Sequence, residues 1–287
     1  MAVFKAKTDS RLIDYLTGLG YSRTKIKQLL KYRAVAVNEQ AVTSLSHPVL
    51  NGDIVSVSKE KQEPVKAPPL GIRIAYEDGA LIVIEKPAGL LTIASETEKV
   101  KTAYYQLNEF LKQRSSGERE RIYIVHRLDR DTSGLLVFAK SEAAKLTLQG
   151  SWKTAEKRYY AIVEGTPVKK TGEIESNLSE TKSLKVYSGR ESDRAKYAKT
   201  KYLVLRSSRG YALLDILLET GRKNQIRVHL ADIGHPVAGD KKYGARTDPF
   251  KRLGLHACLL SFNHPATGQR MLFESAMPDR FNMLMMR

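Results

Sequence analysis

The stretch Lys59-Glu60-Lys61-Gln62-Glu63-Pro64-Val65-Lys66-Ala67-Pro68-Pro69 constrains this chain more than any other feature. It is charged, holds three prolines and has no apolar periodicity, so it supplies neither a core face nor a helix. Residues 59–70 therefore read as a linker. They part the 287 residues into about sixty in front and about 220 behind, each a workable domain length. No internal repeat or low-complexity tract competes with that division.

Charge narrows the partner. Forty-eight Lys and Arg against 31 Asp and Glu leave a net +17, an excess that calls for a polyanion, nucleic acid above all. Apolar residues at 42% are enough for a real core. The longest apolar runs, such as Ala80-Leu81-Ile82-Val83-Ile84, are too short to cross a bilayer, and residues 1–14 carry no apolar signal core. No segment pairs a basic face with an aromatic one, so no membrane partner is expected. One cysteine, Cys258, rules out an internal disulfide and any multi-cysteine zinc site. A cytoplasmic monomer is the expectation.

In the front part Leu12, Tyr15, Leu16 and Leu19 keep helical spacing up to Gly20. A second helix is expected after Ser22, a good N-cap, with Tyr21 and Ile26 as a hydrophobic staple. Ile26, Leu29 and Leu30 form its apolar stripe. Arg23, Lys27 and Lys31, at i, i+4 and i+8, form a basic stripe beside it that suits RNA phosphates. A strand-like Ala34-Val35-Ala36-Val37, a turn at Asn38-Glu39 and Gly52-Asp53-Ile54-Val55 follow. This order, with Arg11-Leu12-Ile13-Asp14-Tyr15-Leu16 in front, resembles the alpha-L RNA-binding module of ribosomal proteins and RNA-modifying enzymes, here residues 1–58. Glu39 stands where that family usually has glycine, and glutamate tolerates a positive φ poorly.

The second part, residues 71–287, shows short Val-, Ile-, Leu- and Tyr-rich strands around 81–84, 123–125, 135–139, 160–164, 201–205 and 212–218. Helices are expected over 141–150 and 107–113. Strands following one another without crossover helices predict an α+β fold, with a mixed, largely antiparallel sheet and a central cleft. Between two of these strands lies the densest polar cluster, His126-Arg127-Leu128-Asp129-Arg130-Asp131-Thr132-Ser133-Gly134, far richer than a hairpin turn needs. A second cluster is Thr220-Gly221-Arg222-Lys223-Asn224-Gln225-Ile226-Arg227-Val228-His229. Its final alternation reads as an extended segment pointing Gln225, Arg227 and His229 one way. Gly234-His235-Pro236 and Gly239-Asp240 form a loop after it. A third piece, Lys157-Arg158-Tyr159-Tyr160, opens a strand.

Together with Tyr76-Glu77-Asp78, Glu85-Lys86-Pro87-Ala88-Gly89-Leu90 and Ala198-Lys199-Thr200, these pieces resemble, in order, the RluA family of RNA pseudouridine synthases. The resemblance covers nearly all of residues 71–287. It implies a cofactor-free, metal-free isomerase that moves uracil from an N-glycosidic to a C-glycosidic bond. It gives Asp129 the role of the catalytic carboxylate, either attacking C1′ or removing the 2′ proton. Arg227 is then the cation paired with it, Tyr159 the ring stacked on uracil, and Arg127 the side chain entering the RNA where the target base swings out. Asp131 is left as a loop hydrogen-bond acceptor. Lys223-Asn224 replaces the family's usual Thr-His, and altered RNA contact is the expected consequence. Large-subunit ribosomal RNA is the favoured substrate, with transfer RNA second. The rivals are a non-catalytic RNA-binding or ribosome-assembly protein and an RNA N-glycosidase releasing free uracil. The six histidines show no metal-ligand spacing.

Overall fold

The computed structural model describes residues 2–31, 34–38, 40–42, 45, 47–58, 71–114, 120–181, 183–189 and 195–286. The expected linker, Glu39 and the Lys31 side chain lie outside them. The chain divides into two compact units, Met1–Lys66 and Ala67–Arg287. Among the described residues no helix is long and apolar enough to cross a membrane.

The front unit runs β1 (Ala2–Lys5), β2 (Ser10–Arg11), α1 (Leu12–Gly18), α2 (Arg23–Lys31), β3 (Val35–Val37), β4 (Gln40–Ala41), β5 (Pro48–Val49) and β6 (Ile54–Val57). Strands β1, β6, β3 and β4 make one sheet in that order, and β2 pairs with β5. Ser22 Oγ accepts the Lys25 N–H at 3.2 Å and so caps α2. Ile26, Leu29 and Leu30 of α2 join Leu12, Leu16, Val35 and Val55 in one buried cluster, with Tyr21 packed against it. Asn38 takes a φ of 49°, and its amide ties the β3 end to β6, donating to Asp53 Oδ1 (2.8 Å) and accepting the Ile54 N–H (2.9 Å).

The larger unit is built on an eleven-stranded sheet. Its elements are β7 (Arg73–Glu77), β8 (Leu81–Lys86), α3 (Ala103–Arg114), β9 (Tyr123–Ile124), β10 (Ser133–Ala139), α4 (Glu142–Ser151), β11 (Glu156–Glu164), β12 (Thr171–Glu180), β13 (Val186–Gly189), β14 (Lys196–Ser208), β15 (Tyr211–Leu218), α5 (Gln225–Asp232), β16 (Leu255–Asn263), β17 (Arg270–Glu274) and α6 (Asp279–Met286). The strand order is β13-β12-β14-β15-β11-β16-β10-β8-β7, with β17 on β16 and β9 on β10. Only β10 and β16 run parallel among the strand pairings described. The fold is mixed α+β with a largely antiparallel sheet.

The centre is dry on both faces. Every residue of β10 is buried, which explains why Leu135, Leu136, Val137 and Phe138 show no polar alternation. Helix α4, capped by Ser141 Oγ on the Ala144 N–H (3.1 Å), lays Ala144 and Leu148 on Val83, Leu135 and Val137. Helix α3 buries Leu107, Phe110 and Leu111, and Tyr104 meets Phe138 with ring centroids 6.4 Å apart.

One correction to the sequence reading changes the site. Residues 225–232 are helical, not extended. Three alternate apolar residues, Ile226, Val228 and Leu230, imitate a strand, but Gln225 and His229 are also buried, and their i, i+4 spacing is a helix face. His229 bonds Thr200 Oγ1 (2.9 Å) and Ser176 Oγ (3.0 Å), while Gln225 Nε2 donates to Thr200 Oγ1 and Lys199 O, both at 2.9 Å. Arg227, about 200° round from Gln225 at 100° per residue, is left to face elsewhere.

Gly134 opens β10 at a φ of 112°, and a Cβ built there would sit 2.1 Å from Ala257 O. Gly134→Ala combines a left-handed backbone with a backbone clash, and is expected to cost about 3–5 kcal/mol in urea denaturation. A loss below about 1 kcal/mol would show that the strands part without cost.

Candidate active site

Strand β16 sets the frame. Ala257 pairs with Gly134 of β10 on one side and Tyr159 of β11 on the other. With neighbouring strands about 4.8 Å apart, the end of the 126–134 loop and Tyr159 face each other across roughly 10 Å. The β11–β16 register shifts between Arg158 and Tyr159, the kind of irregularity that re-aims a side chain. Tyr159 is 9% exposed and lines a cleft of about 970 Å³ shared with Arg127 and Asp129.

The loop is fixed at alternate residues. The ring of His126 reaches back to β10, where Nε2 accepts the Val137 N–H at 3.2 Å, beyond the last paired residues Ile124 and Phe138. Trp152 covers that ring at 4.6 Å. Desolvation, then the charge of Lys157, pushes the His126 pKa down to about 3, so the ring stays a neutral acceptor. At Leu128, the Thr92 hydroxyl donates to the carbonyl (2.8 Å) and accepts the N–H (3.1 Å). At Arg130, the carbonyl accepts from the Lys86 ammonium (3.0 Å) and the Gly89 N–H (2.9 Å). The Thr132 N–H returns to Asp129 O (3.2 Å), and Ser133 Oγ accepts from Arg252 Nη2 (2.7 Å) while bonding His256 Nδ1 (2.8 Å). Arg127 and Asp129, the residues between these anchors, are left with their side chains in the cleft.

Lys86 is 1% exposed, and its ammonium is spent on three carbonyls, Leu90 (2.7 Å), Pro87 (2.9 Å) and Arg130 (3.0 Å). Burial pushes its pKa down to about 7, against the opposing pull of Asp131 and Asp129. Asp131 itself accepts from Arg130 at the surface, at 3.1 and 3.2 Å.

Arg227 joins the loop to α5. Its Nη1 donates to Asp129 Oδ2 at 3.0 Å, while Nε and Nη2 hold Asp240 in a two-point pair at 2.6 and 2.8 Å. Burial works to lower the arginine's pKa, but the hydrogen bonds and charges of Asp240 and then Asp129 outweigh it and keep the guanidinium charged. Asp240 is 2% exposed, so the buried cation has a buried counter-charge. Asp129 adds a second negative charge to one positive one. Its Oδ1 has no donor among the described residues. A recess of about 70 Å³ is lined by Asp129, Tyr159, Arg227 and Arg127 together. Burial, then the Asp129 charge, raises the Tyr159 pKa, so the phenol stays neutral.

The Lys223-Asn224 pair lines the cleft and also bonds inward. Asn224 is 9% exposed at a φ of 55°, a conformation asparagine tolerates. Its Oδ1 accepts from Arg227 (3.1 Å) and its Nδ2 donates to the Tyr243 hydroxyl (2.9 Å). Tyr243 also lies under the Arg227 guanidinium at 4.9 Å. Lys223 pairs with Glu180. Sequence reasoning assigns no role to Asp240, Tyr243, Thr92 or Lys86. Lys86 and Asp240 lie in motifs of the family pattern, but nothing in their spacing announces a partner. In the front unit Arg23 and Lys27 are exposed one turn apart on α2. Among the described residues no group of three or more His, Cys, Asp or Glu could hold a metal ion.

The sequence profile described as RNA pseudouridylate synthase matches residues 80–232, over half the chain, including the loop, Tyr159 and Arg227. The chain belongs to the RluA family of RNA pseudouridine synthases. Its relatives include an RNA pseudouridine synthase of Bacillus subtilis, 36% identical over 90% of this chain and 87% of the relative. The ribosomal large subunit pseudouridine synthase D of Vibrio cholerae is 34% identical over 90% and 84%. Among solved structures, human RNA pseudouridylate synthase domain containing 4 superposes with a TM-score of 0.61 at 26% identity, over 73% of this chain and 90% of that one. The cleft is thus part of an RNA pseudouridine synthase, and its substrate is RNA.

Thr92 tests the anchoring of the pseudouridine synthase loop. Thr92→Val keeps the shape and removes both bonds to Leu128. It is expected to slow single-turnover pseudouridine formation by roughly 10- to 100-fold with little change in RNA affinity, since about 1 Å of misplacement costs on that order. Thr92→Ser should restore most of the rate. A valine variant as fast as wild type, or a serine variant as slow as valine, would discard the anchor.

Proposed function

We propose that this enzyme converts specific uridines of large-subunit ribosomal RNA to pseudouridine, with Asp129 as its catalytic carboxylate. The observation that carries the reading is the Asp240–Arg227–Asp129 bridge, which fixes one carboxylate oxygen in the cleft and leaves the other for the ribose. The C1′–N1 bond breaks, C1′–C5 forms, C5 loses a proton and N1 gains one. Atoms and electrons balance without an external oxidant, reductant or co-substrate, so no cofactor is required. Asp129 acts at the ribose, by attack at C1′ or by removing the 2′ proton. Tyr159 stacks on the uracil. Arg127, exposed on the loop, fills the gap left by the extruded nucleotide. The choice of RNA is supported by relatives in Vibrio cholerae and Nitrosomonas europaea named as ribosomal large subunit enzymes.

Asp129→Asn keeps size and hydrogen-bonding reach but removes charge and basicity. It is expected to bind ribosomal RNA transcripts within a few-fold of wild type and to form no detectable pseudouridine. Asp131→Asn is expected to retain much of the activity. Turnover by the Asp129→Asn variant would remove Asp129 from the chemistry. Mapping pseudouridines in cells lacking this protein tests the RNA class, because losses confined to transfer RNA would overturn it.

The same reading makes the front unit a second RNA-binding surface through Arg23, Lys27 and Lys31 on α2. Replacing all three with glutamine should weaken RNA binding. It should also make log K against log salt shallower by up to about 0.7 for each single-strand phosphate that is no longer neutralised. An unchanged slope in filter binding would assign this stripe to solvent.

A further inference from the structure

Lys157 lines the cleft, yet it is only 8% exposed. Two residues from Tyr159 on β11, it shares that residue's face of the sheet, about 6.6 Å along the strand. Its ammonium has three donors to satisfy. Among the described residues its one hydrogen bond is to Trp152 O at 3.2 Å, and no carboxylate stands within ion-pair distance.

Two other inward lysines show how this fold handles the same problem. Lys86 has three carbonyl acceptors. Lys140 is paired with Glu77 at 2.8 Å. Buried charge is costly unless it is paired, so a cation left short of partners inside a cleft is poised for an anion arriving from outside. Burial pushes the Lys157 pKa down, and an incoming anion would reverse that cost. His126, whose pKa the Lys157 charge helps to lower, is neutral and offers no counter-charge.

We propose that Lys157 is a phosphate-binding residue inside the cleft, taking one phosphodiester of the RNA strand beside the nucleotide that lies against Tyr159. An ammonium is a compact point charge suited to phosphate oxygens, whereas the flat face of the base is met by the tyrosine ring. The inference rests on the cleft accepting RNA but not on which uridine is modified.

The test uses the full-length enzyme and a fluorescein-labelled twelve-residue oligouridylate, followed by anisotropy between 50 and 200 mM KCl. Lys157→Met and Lys157→Gln remove the charge, the second retaining a donor for Trp152 O. Both should weaken binding and make the salt slope shallower by about 0.7, so that the fall in affinity across this range shrinks by roughly 2.6-fold. Lys157→Arg should hold the wild-type slope. An abasic oligomer of the same length should show the same Lys157-dependent change. A slope unchanged in either folded neutral variant overturns the proposal. So does a change that disappears with the abasic oligomer, which would place the ammonium on the base. Because binding is read without turnover, failure here is distinct from failure of the ribosomal RNA reading, which shows as absent pseudouridine in transcripts treated with wild-type enzyme.

Discussion

Arg227 is the point on which the site depends. Three separate stretches of chain meet at one guanidinium: the 126–134 loop through Asp129, the loop after α5 through Asp240, and the α5 N-terminus through Asn224. Asp240 takes the two-point side of the fork and is the more deeply buried, so it makes burial of the cation tolerable. Asp129 receives a single bond from the remaining nitrogen. The arrangement is asymmetric in a useful sense. One carboxylate neutralises the arginine, and the other is positioned by it without being used up.

Around that bridge the loop carrying Asp129 behaves as a rigid strap. Its anchors are chemically varied: an imidazole on a strand amide, a hydroxyl spanning one residue's N–H and C=O, and an ammonium on a carbonyl. Each acts on backbone and not on a cleft side chain. Two of them, Thr92 and Lys86, come from the segment after β8 or its end, so the turn that follows this strand doubles as a clamp for a loop about forty residues away. Arg227 sits on a helix whose buried polar residues, Gln225 and His229, lock it to β14. Loop and helix are thus held by different parts of the sheet and meet at Asp129.

Much of this is legible in the chain. Strands near the cleft announce themselves through Val, Ile and Leu runs, and the loop through a polar density no turn requires. The ordered motifs carry the family, and with it the fold. The α5 segment misleads because Ile226, Val228 and Leu230 alternate as in a strand, while the buried partners completing the helical face, Gln225 and His229, are polar and invisible to hydrophobic periodicity. Thr92 and Asp240 are illegible as partners for another reason. A threonine hydroxyl 36 residues from the amide it holds leaves no local pattern, and a buried aspartate looks like a surface one until its arginine is placed. The Lys223-Asn224 pair departs from the family's usual Thr-His, and the sequence does not show that the Asn224 amide also ties Arg227 to Tyr243.

The position of Ala257 gives the site a ruler. Its neighbours on either side, Gly134 and Tyr159, hold the end of the 126–134 loop and the tyrosine of the cleft at spacings set by peptide hydrogen bonds. Widening that spacing by a fraction of an ångström is not a side-chain adjustment, because it means stretching a ladder shared by three strands. The gap between tyrosine and loop therefore comes in whole interstrand steps, and fine adjustment is left to the few backbone torsions between His126 and Ser133. A sheet used in this way is less a platform for an active site than a gauge block against which the loop is set.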